Sequence, residues 1–521
     1  MRPSVPKLGV TVGLVILAHD FAFADNQITS EQWRADLYQL AEAVHEYHPD
    51  PFEAVSQSEF NDLVARLNAD IPGLTDKQIV VGLAAITASI QDGHTRLAFP
   101  RQHRNVGLEL GHTGTPEPMF ESLKFAHLPV DFKLFDDGLF VVSATDSHKA
   151  LLGVQVLQIG NLPADQAMTA VEAVVYKDNA WTAKLLIPDR LGMPEILAAL
   201  GISDDPAKTL LKVRMKTGVE QTMELAPLPA TETRWLQASE ADALPAWLIR
   251  RDEKFWARYL ADDKAMYLQI NEINNKPDET LASFAARVFA AAEQKGAERL
   301  VIDLRHNSGG SGSLNRSLLL SILRSDRFNN YGKLFVLTGR NTFSAAQFLV
   351  LDLERYANVL FVGESGGASP TSYGDPKKIT LEHSGLTLRV STIHWHSWLA
   401  GDFRDAVAPH IRVEYTSKDV FSARDPVLQA ALEFPEPAGV VELCDMLLRQ
   451  GDVNSAAIIL MKYVTDPETA DESLEDDLIR LGEAFAEEGD EVNTRYVYLM
   501  GAQFYPASQR LRTGLNAWRG D

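Results

Sequence analysis

Leu300-Val301-Ile302-Asp303-Leu304-Arg305-His306-Asn307-Ser308-Gly309-Gly310 is the stretch that decides how this chain folds. Residues 300–304 are apolar apart from one aspartate, the pattern of a strand buried on both faces of a parallel sheet. A polar, glycine-rich loop follows. Such a loop exposes backbone N–H groups to an anion, or it is merely a tight turn. The dinucleotide fingerprint is not met, because no acidic residue ends a following strand at the expected place, and no P-loop lysine is present. Working outward, strands at 266–270, 334–337 and 359–362 alternate with helices at 281–292, 313–323 and 344–356. Apolar strands separated by amphipathic helices predict a largely parallel sheet covered on both faces.

The flanks differ in character. Residues 30–90 carry apolar positions at helical spacing, with Ser30 and Trp33 as a loose capping pair and Pro49 and Pro51 as breakers. Residues 97–235 read as short β runs at 138–142, 154–159 and 210–215, with a helical insertion near 165–200. Residues 436–521 are helical and self-similar: Gly451-Asp452 returns 38 residues later as Gly489-Asp490, resembling tetratricopeptide-like repeats. Two units are too few for a free-standing array, so they should pack on the core or on a protein partner.

With 521 residues, about three or four folding units are expected. Hydrophobic residues at 45% and charged residues at 23% exclude a disordered or polytopic membrane chain. A formal charge of −22 repels phosphate backbones and argues against nucleic-acid binding. The single cysteine, Cys444, excludes an intrachain disulfide and sits in an apolar helical stretch unsuited to a nucleophile. At the N-terminus, Arg2 and Lys7 precede an apolar run at 8–18 and then Ala22-Phe23-Ala24. This is the pattern of a cleaved secretory signal over residues 1–24, with an uncleaved anchor as the alternative. A secreted or periplasmic bacterial address without disulfides is the expectation, with no membrane span in the mature chain.

A second constellation follows the strand at 334–337: Thr342-Phe343-Ser344-Ala345-Ala346. Ser344 lies where a strand ends and a helix starts. By propensity it fits an ordinary helix N-cap; the other reading is a nucleophile whose attack is aided by the adjacent Ala345 N–H. Together with Ile302-Asp303-Leu304-Arg305-His306-Asn307-Ser308-Gly309-Gly310, Val362-Gly363-Glu364-Ser365-Gly366-Gly367 and Asp92-Gly93-His94-Thr95, these residues resemble the S41 serine peptidases. Those are the tail-specific or C-terminal-processing proteases and their relatives, including the tricorn core. The resemblance spans roughly residues 30–435 and implies a multidomain α/β architecture. Its parts are an N-terminal helical cap (25–96), a PDZ-like mostly-β module (97–240), a ClpP/crotonase-like α/β catalytic core (241–435) and the helical tail (436–521).

The resemblance makes Ser344 the nucleophile and assigns the oxyanion hole to the N–H groups of Ala345 and of Gly309 or Gly310. Where the processing proteases place a lysine base, this chain has Ser369, and Lys377 and Lys378 come later in a charged, exposed-looking turn. The tricorn-like branch instead uses a histidine, matched by His94, and imidazole suits proton abstraction near neutral pH. That branch orients its histidine with a glutamate; the nearest acids here are Asp402 and Asp405, ahead of Ala408-Pro409-His410-Ile411. The serine preceding the branch's histidine is replaced by Gly93. Ser372 and Tyr373 are expected to line the substrate cleft. No metal or other cofactor is expected: His394 and His396 lack a third ligand, and His45 and His48 fail the His-Glu-x-x-His order. The expected activity is peptide hydrolysis. A non-catalytic peptide- or ligand-binding protein on the same scaffold, or an esterase-like hydrolase, are the alternatives.

Overall fold

The computed structural model describes residues 28–102, 119–228, 235–237, 245–437, 439–469 and 472–518. The secretory signal expected over residues 1–24 lies outside the described residues.

The decisive strand, Arg299–Asp303, sits inside a six-stranded sheet in the order Ile411–Arg412, Leu360–Gly363, Leu334–Thr338, Arg299–Asp303, Ala265–Ile270, Phe255–Leu260. The first five are parallel and only the last is antiparallel. Leu300, Val301, Ile302, Phe335, Val336 and Leu337 are fully buried, each side chain contributing about 1.5–3 kcal/mol by leaving water. The two faces feed different cores. Leu300, Ile302 and Val336 pack against the helices Leu281–Gln294, Asn315–Leu323 and Ala345–Tyr356. Val301, Phe335 and Leu337 pack against the C-terminal helices. The tail therefore covers one face of the six-stranded sheet, through Leu443, Leu447 and Phe485 among others. Cys444 is buried there, its thiol pushed up to about 12 by burial.

The N-terminal helices Ser30–Tyr47, Gln57–Asp70 and Asp76–Ala88 match the expected periodicity. The cap of the first is Thr29 with Gln32 in a reciprocal capping box, one residue earlier than the Ser30–Trp33 pair. Val130–Phe135, Gly138–Thr145, Gln155–Ile159, Thr209–Arg214 and Glu220–Leu225 form an antiparallel sheet. The insertion at 165–200 is helical, as Ala164–Val171, Ala180–Leu191 and Pro194–Ala199. Lys377 and Lys378 belong to a strand, Lys377–Thr380, and not to a turn. It pairs with Thr387–Val390, which pairs in turn with Arg96–Leu97. Through that sheet the segment after the third helix is joined to the core. Among the described residues no helix is long and apolar enough to cross a membrane.

Candidate active site

In a parallel sheet the loops beyond the carboxyl ends of the strands converge, and ligands bind there. Two such loops meet at Ser344. The strand Leu334–Thr338 runs through Gly339 to Ser344, and the helix Ala345–Tyr356 begins at once. Ser344 has φ 54° and ψ −124°, a conformation rare for a residue with a Cβ. Holding it there costs about 1–3 kcal/mol. Its side chain makes no capping hydrogen bond to the helix, so the ordinary N-cap reading does not describe it. The turn is held by its surroundings: Phe343 N–H donates to the Asn307 carbonyl at 3.0 Å, and Asn315 Nδ2 donates to the Ala345 carbonyl at 2.8 Å.

The glycine loop packs directly against this turn. A Cβ on Gly309 would lie 2.7 Å from Ser344 Cβ and 3.1 Å from Ala345 N, and one on Gly310 would lie 2.4 Å from the Ile273 carbonyl oxygen. Both glycines have positive φ, 116° and 138°. The Gly309 N–H donates to Asn307 Oδ1 at 2.9 Å and is therefore engaged. The N–H groups of Gly310 and Ala345 make no hydrogen bond among the described residues. Of the two glycines weighed as donors, Gly310 is the one with an N–H to offer.

His94 reaches the same point from the other end of the chain. Its Nε2 lies 3.1 Å from Ser344 Oγ, a contact between residues 250 apart. Three anchors place it. Asp92 Oδ1 accepts the His94 N–H at 2.9 Å; Asp92 Oδ2 accepts from Ser391 Oγ at 2.6 Å and lies 3.2 Å from His48 Nε2. Ser391 N–H donates to Thr95 Oγ1 at 3.0 Å. Finally, the imidazole packs on the Phe343 ring, with centroids 4.6 Å apart.

The electrostatics around His94 are divided. Burial, and then the charge of Arg96, outweigh Asp92, the Tyr373 carbonyl and Asp375, so the imidazole is held down to about 4. A neutral ring with an acceptor toward Ser344 is the base form. Burial would raise Asp92, but the hydrogen bond with His48, the charge of His94 and the hydroxyls of Ser391 and Thr95 hold it at about 2. Asp178 goes the other way. Burial and the neighbouring Asp92 raise it to about 8, against the opposing N–H of Gly93 and the charge of Arg96. Its Oδ1 accepts Gly93 N–H at 2.6 Å, while Oδ2 is buried without a partner.

The His94 Nδ1 is also buried without a hydrogen-bond partner. Neither expected acid supplies one. The Asp402 carboxylate is engaged by Arg404 and by Ser397 Oγ. Asp405 is exposed and contributes its backbone carbonyl to Asn179 and Ser369. Both are bypassed because Arg404 and the Asn179 cap hold that segment for other purposes. The missing serine before His94 has a steric reason: a Cβ on Gly93 would meet Phe343 Cζ at 2.6 Å and Asp178 Oδ1 at 2.9 Å. Ser372 and Tyr373 lie on the short strand Ser372–Gly374, paired with Ile393–Trp395. Tyr373 stacks on His394 and donates to Glu53 Oε2 at 2.7 Å. Among the described residues no group of three His, Cys, Asp or Glu side chains is arranged to hold a metal ion. Asp178 and Asn315 escaped sequence reading because each looks like an ordinary polar residue beside a helix start.

No protein-family model matches the sequence, and no curated protein matches it. Solved structures do. Mature CPAF complexed with lactacystin superposes with a TM-score of 0.56 at 14% identity, covering 81% of this chain and 99% of that one. The chain shares the fold of CPAF. A second structure of mature CPAF gives 0.54 at 15% identity, covering 81% and 98%, and a serine-to-alanine mutant of CPAF gives 0.52 at 13%, covering 78% and 98%. CPAF is thus matched over nearly its whole length.

Proposed function

We propose that this chain is an exported serine peptidase of the S41 type. The observation that carries the reading is the 3.1 Å approach of His94 Nε2 to the hydroxyl of a serine held in a strained strand-to-helix turn. Ser344 Oγ attacks the scissile carbonyl while neutral His94 accepts its proton. The developing oxyanion lies toward the N–H groups of Ala345 and Gly310, which are otherwise unused; one such donor is typically worth about 3 kcal/mol. His94 returns the proton to the leaving amine, and water then hydrolyses the acyl-enzyme by the same route in reverse. The shared fold of CPAF and the motif resemblance support a peptide or protein substrate. Export rests on the leader-like residues 1–24.

The lack of a carboxylate on His94 Nδ1 among the described residues favours a second reading, a non-catalytic binding protein on the same scaffold. Labelling with a fluorophosphonate separates the two. The mature protein is expected to be labelled, and Ser344→Ala and His94→Ala to lose the label. Label that persists in Ser344→Ala ends the peptidase reading, and absence of label in all three supports the binding protein.

A further inference from the structure

A cavity of about 330 Å³ lies away from Ser344 and His94, between the strand Val130–Phe135, the helix Ala180–Leu191 and the loops that carry Arg305–His306 and Gly339–Asn341. Its size is at the lower end of the range for small-molecule pockets, about 300–1,000 Å³. Part of its wall is apolar, from Phe135, Val142, Leu185 and Pro188. The rest is charged, and the charges do not cancel locally.

The acids of the wall are all engaged elsewhere. Asp131 is held by Ser143 and His127, Asp189 by Arg101 and Arg190, and Glu364 by Arg340. Arg305 is likewise matched by Asp303 and Asp425, and Lys184 by Glu414 at 3.8 Å. Two cations remain without a carboxylate partner among the described residues. Lys133 sits within 5.1–5.7 Å of the ring centroids of Trp247, Phe135 and Tyr415. Those faces favour the positive charge but accept none of the ammonium's three N–H donors in line. Arg251 stands at the exposed rim. A third polar atom is unmet: His306, stacked on Trp247, has its Nε2 buried without a partner. Burial and the neighbouring Arg340 lower Lys133 to about 8, against the charge of Glu364, so it remains mostly charged at neutral pH.

An unpaired, desolvated ammonium is unfavourable unless an anion completes it. We infer that this cavity binds a small organic carboxylate, its head between Lys133 and Arg251 and its apolar body against Leu185 and Pro188. A carboxylate matches the donor set: its two oxygens can accept from the Lys133 ammonium and the Arg251 guanidinium together, while Leu185 and Pro188 offer an apolar surface to the body that carries it. The proposal is independent of the chemistry assigned to Ser344.

Titration calorimetry on the full mature chain at neutral pH tests it, with 3-phenylpropionate, its uncharged amide and inorganic phosphate as probes. The acid is expected to bind, with the amide weaker by at least about tenfold and phosphate weaker than the acid. Lys133→Gln and Arg251→Gln are each expected to weaken the acid by at least about tenfold; Arg251 is exposed, so its variant folds even if the buried change does not. Four results overturn the assignment: no heat from the acid at about 10 mM, an amide that binds as well as the acid, phosphate that binds more tightly, or unchanged affinity in the variants that fold.

Discussion

The turn that carries Ser344 and the loop that carries His94 meet in one hydrogen bond, but they are supported over very different distances along the chain. The Ser344 turn is braced by Asn307, Gly309 and Asn315, all within the same sheet-and-helix unit, the last of them 30 residues from Ala345. The His94 loop is braced by His48, Asp178 and Ser391, whose contacts span 44, 85 and 299 residues. The first region stores backbone strain and needs glycine beside it. The second stores buried charge, with one carboxyl held ionised and another held protonated a short distance apart. Strain of the first kind is a property of one turn, whereas the second exists only when the N-terminal helices, the helical insertion and the core are assembled.

Removing the hydroxyl should have the largest effect. Ser344→Ala is expected to lower peptide hydrolysis by at least about 10³-fold. The companion Ser344→Gly should be equally inactive, yet more stable than Ser344→Ala by about 1 kcal/mol, because glycine relaxes a φ of 54° that alanine cannot. Equal melting temperatures for the two variants would show that the turn is not strained.

The His94 side is broken by adding a side chain to the residue before it. Gly93→Ser introduces a Cβ where Phe343 Cζ stands 2.6 Å away, and the Phe343 ring supports both the imidazole and the neighbouring Ser344. Overpacking of this kind costs about 1–3 kcal/mol. The rate of fluorophosphonate labelling is expected to fall by about 10-fold to 100-fold. A variant that labels as fast as the parent would mean that Phe343 yields freely and that Gly93 is not required by packing.

The same contrast explains what could be read from the sequence. The alternation of 300–304, 334–337 and 359–362 with helices is local, and it carried the sheet and the position of Ser344 with it. His94 could be reached only through resemblance, since no periodicity links residue 94 to residue 344. Asp178 and the unmet His94 Nδ1 were invisible, because burial and pairing are properties of the assembled protein. Choosing between Gly309 and Gly310 needed the Asn307 side chain in place.

The buried carboxyl beneath His94 sharpens the comparison through pH. Asp178 keeps its proton in the folded protein up to about 8, whereas its ordinary value is 3.8. The folded state therefore binds the extra proton between those values, and the stability it contributes is lost as pH rises toward 8. Asp178→Asn removes this dependence: its melting temperature is expected to hold between pH 5 and pH 9 relative to the parent, with the variant gaining on the parent at the alkaline end. His94 has the opposite sign. Its folded value near 4 lies below the ordinary 6.5, so stability is lost as pH falls through that window, and labelling should survive well below pH 6.5. A labelling rate that halves near pH 6.5 would place His94 in a far wetter site.

The smallest effects should come from Asp402 and Asp405, the acids expected from the sequence to orient His94. Asp402 is tied to Arg404 and Ser397, and Asp405 presents only its backbone to the site's second layer, through Asn179 and Ser369. Asp405→Asn leaves that carbonyl untouched and should change the labelling rate by less than about twofold. Asp402→Asn loosens Arg404, which also pairs with Glu354 on the helix that begins at Ser344, so it should lower the melting temperature slightly while sparing the rate. A large loss of rate in either variant, with the fold intact by circular dichroism, would mean that the acid swings onto His94 Nδ1 when substrate binds. The His94 loop would then be completed by the core and not by Asp92 and Asp178, and the two regions would be less different than their resting supports make them.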